Sequence, residues 1–219
     1  MSQQGNRLVY RNAVKSMIRA GVDPKQAVLS QSYLRFEQLV SSTKTSYQFG
    51  VLVNDSGNSG VSVRPTEQRL NLQDSFYVSS VQILLAQPSA TTDTNFPLFS
   101  YPHQQTLGAN FANFWNLYNG QMSLTVNNRT IVTAWDCFRH YQANQTQQVA
   151  AVSATSALNQ LDGGKDSAYD TEPNWVLIGS KNNVLQINLP NAITPTTSTN
   201  NYIVVIMRGV LAQNVTVVS

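Results

Sequence analysis

The chain has 219 residues, with fourteen Lys and Arg, eleven Asp and Glu, two His and a formal net charge of +3. Only 11% of its residues are charged, less than half of the roughly 25% usual for soluble domains, while 42% are hydrophobic. That length and apolar content exclude a disordered chain and suit one main domain with an appendage. The lone Cys137 excludes an intramolecular disulfide framework.

Charge is unevenly placed. Residues 1–44 hold seven cations (Arg7, Arg11, Lys15, Arg19, Lys25, Arg35, Lys44) against Asp23 and Glu37, a balance of +5, and the remainder balances at −2. The remainder is rich in Asn, Gln, Ser and Thr, which make a solvated but weakly self-repelling surface that tolerates contact with copies of itself. The longest apolar runs, such as Ile203–Met207, fall far short of the roughly 20 residues needed to cross a bilayer, so no membrane span is expected. The first residues carry no apolar run behind their basic ones, so no secretory signal is expected. The Asn-x-Ser/Thr triplets at Asn54, Asn128, Asn144 and Asn214 are what chance places in such a composition.

In chain order, the spacing of Leu8, Val14, Met17 and Ile18 predicts a helix over 6–20, with Gly21 as its left-handed stop. Arg7, Arg11, Lys15 and Arg19 recur every four residues and form one cationic stripe on it. Asp23-Pro24 reads as an N-cap and first turn, opening a second helix towards Val40 with Leu29, Tyr33, Phe36 and Val40 on one face. The stretch 30–36 also fits the start of a strand. The first 44 residues thus read as a basic helical arm.

From Thr45 the period becomes two, with Tyr47, Phe49, Val51 and Val53 alternating before turn residues over 54–60. Further strands are predicted at 69–73, 76–85, 121–126, 129–134, 174–178, 184–189 and 202–211. Asn127-Asn128 suits a tight hairpin, because Asn tolerates positive φ. Ile203–Met207 is continuously apolar and should be covered on both faces. Eight strands with short turns and two long connections, 87–120 and 136–173, point to a mainly β fold. The expected body, 45–219, is an eight-stranded, jelly-roll-like β-sandwich behind its arm. Within the second connection, 144–161 is compatible with a helix.

Chemistry is sparsely provided. Cys137 and His140, three apart, would bring thiol and imidazole together on a helix, as a nucleophile pair requires. No family signature surrounds them, and Trp135 and Phe138 suggest a buried structural thiol instead. One Cys and the distant His103 and His140 do not make a zinc set, and no metal or other cofactor is expected. Asp162, Asp166, Asp170 and Glu172 lie in a glycine-bearing loop of the kind that can wrap calcium, though without EF-hand spacing and with Lys165 among them. A solvated turn is the simpler reading. Trp115, Tyr118 and Trp135 are candidates for subunit-interface anchors or for a sugar-stacking platform. The cationic stripe suits an acidic patch on a neighbouring subunit, a phosphate backbone, or plain solvent.

The stretches 118–132 (Tyr-Asn-Gly-Gln-Met-Ser-Leu-Thr-Val-Asn-Asn-Arg-Thr-Ile-Val) and 173–190, with the basic arm and charge-poor body, resemble virion proteins. The pattern is similar to capsid proteins of small icosahedral viruses and tailless bacteriophages. The resemblance implies a jelly-roll shell subunit located in the virion, made in the host cytoplasm, with its arm facing inward or tying neighbours together. It implies partners that are copies of the chain, in trimers or larger assemblies, together with other virion proteins and a weak nucleic-acid contact through the arm. It assigns no site residue. A carbohydrate- or receptor-binding sandwich, such as a phage fibre or decoration protein, is the alternative, and a glycan-active enzyme the third.

Overall fold

The computed structural model describes residues 3–55, 65–86, 98–100, 113–141, 168–194 and 201–217. The predicted helix over 144–161, His103, and Asp162, Lys165 and Asp166 of the acidic loop lie outside the described residues.

Helix α1 spans Gln3–Arg19. It ends where Gly21 takes φ 82°, the left-handed stop expected there. The strands that follow are β1 (Val22–Asp23), β2 (Val28–Leu39), β3 (Ser46–Gly50), β4 (Ser75–Ala86), β5 (Leu98–Phe99) and β6 (Gln121–Val126). Next come β7 (Arg129–Asp136), β8 (Tyr169–Ile178), β9 (Asn183–Asn188), β10 (Tyr202–Gln213) and β11 (Thr216–Val217). A one-turn helix, Trp115–Tyr118, precedes β6, and a 3₁₀ turn, Cys137–His140, follows β7.

The predicted second helix is a strand. Asp23 and Pro24 do organise a turn, in which Asp23 Oδ1 accepts from the Lys25 amide at 3.1 Å, but the turn launches β2. Leu34 and Phe36, two residues apart, both enter the core, while Tyr33 before them is exposed and Arg35 between them is only half-buried, a period of two. Twelve residues of β2 pair antiparallel with β10, from Val28 opposite Gln213 to Leu39 opposite Tyr202. Those cross-strand partners override the local helical spacing. The basic arm therefore shrinks from 1–44 to α1 and its turn, and β2 belongs to the body. The predicted strand at 69–73 is likewise replaced: of that segment only Leu70 makes a bridge, an isolated one with Leu52, and Gln68 just before it bridges Arg35.

One antiparallel sheet places β2, β10 and β4 side by side, with β8 and the short β5 both along the far side of β4. The other orders β3-β9-β6-β7. A third pairing, β1 with β11, ties the turn after α1 to the end of the described chain. The two large sheets form a sandwich. Phe36, Phe76, Ile83 and Val205 of the first sheet share one core with Phe49, Met122, Leu185 and Ile187 of the second. Asn127 and Asn128 form the β6–β7 hairpin with φ 52° and 60°, as their side chains permit.

The outer face of the first sheet is also buried. Val204 and Ile206 join Leu84 and Ala86 in a separate apolar cluster, while Ile203, Val205 and Met207 enter the main core. The continuous run in β10 is thus covered on both faces, as its sequence requires. At the other end of the same face, Ala13 and Met17 of α1 pack on Tyr77, Val176, Val210 and Ala212.

Between these clusters β4 bulges, with Ser79 left without a Cα partner opposite Arg208 and Gly209 of β10, and a Cβ on Gly209 would run into the Tyr77 carbonyl. Glycine is required there by close approach of the neighbouring backbone. Gly209→Ala is expected to cost about 1–3 kcal/mol, measured as a lower urea midpoint at unchanged slope. An unaltered midpoint would show that β4 and β10 can separate there freely.

Candidate interaction surfaces

An α-helix turns once in about 3.6 residues, so its faces are set by arithmetic before any partner is met. Val9, Tyr10, Ala13 and Met17 of α1 face the sheet. Arg11, Lys15 and Arg19 emerge on the opposite side, exposed to solvent. Arg7 belongs to the same helix, but its side chain is outside the described set. No acid occurs in α1, and among the described residues no carboxylate pairs with Arg11, Lys15 or Arg19.

The apolar face expected from Leu8, Val14, Met17 and Ile18 is rotated. Leu8 is 59% and Ile18 55% exposed. Both lie among the cations around the helix, and burying them would press Arg11 and Lys15 against the sheet and strip their water. Ala13 and Met17, four apart, offer an uncharged stripe instead. The outward face of α1 is therefore cationic with two exposed aliphatic side chains, a surface suited to an anionic partner.

The aromatic candidates separate. Tyr118 and Trp135 are buried in the main core and present no interface or sugar-stacking platform, while Trp115 is half-buried against it. Trp135 meets Trp175 edge to face at 5.2 Å between centroids, and Trp115, Tyr118 and Tyr141 form a triangle of tilted rings. Aromatic rings of this size bury the most area per residue, so packing in the shared core draws them inward. Phe138, which no surface expectation singled out, is the exposed one, stacked on Tyr141 at 5.8 Å.

Cys137 and His140 share the 3₁₀ turn without forming a nucleophile pair. The buried His140 accepts at Nε2 from Trp135 Nε1–H at 2.8 Å. Burial, with the nearby Asp136 charge adding to it, pushes the Cys137 thiol up to about 12. A catalytic thiol needs the opposite shift. Of the acidic loop, Asp170 is described and lies exposed on β8. Among the described residues no three His, Cys, Asp or Glu gather to hold a metal.

A charged clasp, invisible in the sequence, closes one edge of the sandwich. Arg35 contacts Glu37 Oε1 through Nε at 2.8 Å and through a second nitrogen at 2.7 Å, and Thr66 donates to the same oxygen at 2.7 Å. The Glu37 amide donates to Glu67 Oε1 at 3.0 Å, and Arg69 Nη2 reaches both Glu67 oxygens at 3.2 Å. Backbone bonds between Arg35 and Gln68, and between Leu70 and both Val51 and Val53, complete a strap from the edge of β2 to the exit of β3. The alternation Arg35-x-Glu37 and Glu67-x-Arg69 puts each pair on one side of an extended chain, which is the only local signal. That the two pairs meet, thirty residues apart, is a tertiary fact.

Compared with models of known protein families, with curated proteins and with solved structures, the chain matches none.

Two outcomes test this account. The raised thiol makes Cys137 unreactive to alkylation in the native chain at pH 8, with full reaction on unfolding; native labelling would contradict its burial. Because the folded value exceeds the ordinary thiol value of 9.0, the protonated form is favoured by folding. That contribution is complete below pH 9 and is lost as pH rises from there towards 12. In the clasp, the Glu67 and Arg69 side chains are each 4% exposed. Arg69→Met strands a buried carboxylate and should cost about 3–5 kcal/mol. Replacing both residues by apolar ones should recover much of that loss in a double-mutant cycle of urea midpoints.

Proposed function

We propose that the chain is a structural subunit that assembles with copies of itself into a shell, and that its body is a jelly roll. The observation that carries this reading is the wiring of the eight longer strands. From β2 the chain passes to the other sheet for β3, returns for β4, crosses for β6 and β7, returns for β8, crosses for β9 and returns for β10. The sheets are thus β2-β10-β4-β8 and β3-β9-β6-β7, and the first and last long strands are neighbours. Two interleaved Greek keys produce this order, and capsid domains, lectins and cupins are built on it.

The fold alone does not choose among those uses. A lectin-like or receptor-binding use is disfavoured by the burial of Tyr118 and Trp135, which a stacking platform needs at the surface. A catalytic use of Cys137 is disfavoured by the raised thiol. Shell building is favoured by a surface with few charges to repel a neighbouring copy, and by a cationic helix seated on the outside of one sheet. On this reading the chain is a virion component, most simply a bacteriophage capsid subunit. Its partners are its own copies and other virion proteins, and α1 is free to meet an anionic neighbour or nucleic acid.

Sedimentation velocity with negative-stain microscopy tests the proposal. Trimers or large symmetric particles are expected at micromolar concentration and above. A chain that stays monomeric at every concentration overturns it.

A further inference from the structure

Helix α1 turns five large side chains away from the sheet that carries it. At about 100° per residue, Ile18, Arg11, Lys15, Leu8 and Arg19 follow one another around an arc of about 100°. All five are exposed, Leu8 by 59% and Ile18 by 55%. The opposite arc holds Ala13 and Met17, buried on Tyr77, Val176, Val210 and Ala212. One side of the helix is thus fixed to the fold, and the other mixes cations with aliphatic side chains.

The cations call for negative charge from outside the helix. Arg7, Arg11, Lys15 and Arg19 repeat every four residues, and α1 contains no acid. Like charges at that spacing destabilise a helix, and a carboxylate one turn away would relieve them. Among the described residues no carboxylate pairs with Arg11, Lys15 or Arg19. An anionic partner removes that repulsion.

Leu8 and Ile18 decide the kind of partner. A nucleic acid offers phosphates to the cations but gives two aliphatic side chains nothing. The one aromatic ring of α1, Tyr10, lies on the sheet side and cannot stack on a base. A bilayer of anionic lipid offers both contacts at once, with charge in its headgroups and acyl chains just beneath. Arg and Lys stems are long enough to keep their charge among the headgroups while Leu8 and Ile18 reach lower. Along the axis the two aliphatic residues stand about 15 Å apart, and Arg11 to Arg19 spans about 12 Å, so the contact is a plane along the helix. Among the described residues no helix is long and apolar enough to cross a bilayer, so α1 would lie on its surface.

We propose that the outward face of α1 binds the surface of a membrane rich in anionic lipid, with Arg11, Lys15 and Arg19 at the headgroups and Leu8 and Ile18 in the upper acyl layer. The proposal goes beyond the assembly reading and stands without it, because a single chain carries the whole contact.

The test is flotation of the full chain with vesicles of phosphatidylglycerol and phosphatidylcholine in equal parts, against phosphatidylcholine alone. Wild type should float with the anionic vesicles, not with the neutral ones, and be released as salt rises to about 0.5 M. Each basic residue near such a surface is worth about fivefold in partition, so Lys15→Glu should lower it by about tenfold or more. Leu8→Gln with Ile18→Gln leaves every charge in place. That pair should also lower vesicle partition by about tenfold or more, and leave affinity for a single-stranded oligonucleotide at the wild-type level. All three substitutions are at exposed positions, and unchanged urea midpoints check that the fold is kept. No flotation with anionic vesicles at low salt overturns the proposal. Flotation indifferent to Lys15→Glu places the lipid contact elsewhere on the chain and overturns it as well. Oligonucleotide binding that displaces the vesicles, together with flotation indifferent to the Leu8 and Ile18 pair, assigns the face to nucleic acid instead. A permanent monomer that floats as expected keeps the membrane contact and removes the shell.

Discussion

The structure depends on one strand having no free side. β10 is paired along its length with β2 on one flank and β4 on the other, and apolar clusters cover both its faces. A strand in that position satisfies every backbone group internally, and its side chains must be apolar on alternate and intervening positions alike. Ile203–Met207 meets that demand. The β4 bulge opposite Gly209 shifts that strand's inward positions from Phe76 and Val78 to Val81, Ile83 and Leu85, while Val210 and Ala212 continue the outward face of Val204 and Ile206 and seat α1. Helix position, sheet curvature and core composition all follow from this strand.

An open sandwich leaves edges, and the clasp shows what closing one entails. The Glu37, Glu67 and Arg69 side chains are almost fully removed from water. Burying ions costs several kcal/mol each unless geometry returns it, so such a network is a poor source of raw stability. What it supplies is specificity. The strap over 65–70 reaches its place only if charge pairs from β2 and from the strap meet, which holds the long connection out of β3 against one sheet edge.

Function is legible mainly through where polar chemistry has been withdrawn. Cys137, His140 and Trp135 form a buried, hydrogen-bonded corner in which the thiol is held protonated. The cations of α1 are kept in solvent by rotating Leu8 and Ile18 outward with them. A molecule built this way presents a cationic helix face to solvent on one sheet.

Local physics alone determined a good part of this protein. Helix α1, its stop at Gly21, the Asn127-Asn128 hairpin and the strands with strict alternation are decided by neighbours within a few residues, where backbone sterics and period act directly. The same holds for the double burial of β10, because only a strand covered on both faces tolerates an unbroken apolar run. Tertiary structure decided the rest. Residues 28–39 carry a spacing compatible with a helix, and only pairing with a strand at the far end of the chain makes them β2. Which face of α1 is buried, whether Tyr118 and Trp135 meet solvent, and how Arg35 and Glu37 find Glu67 and Arg69 depend on distant groups. Burial and buried-charge pairing are properties of surroundings that no local window contains.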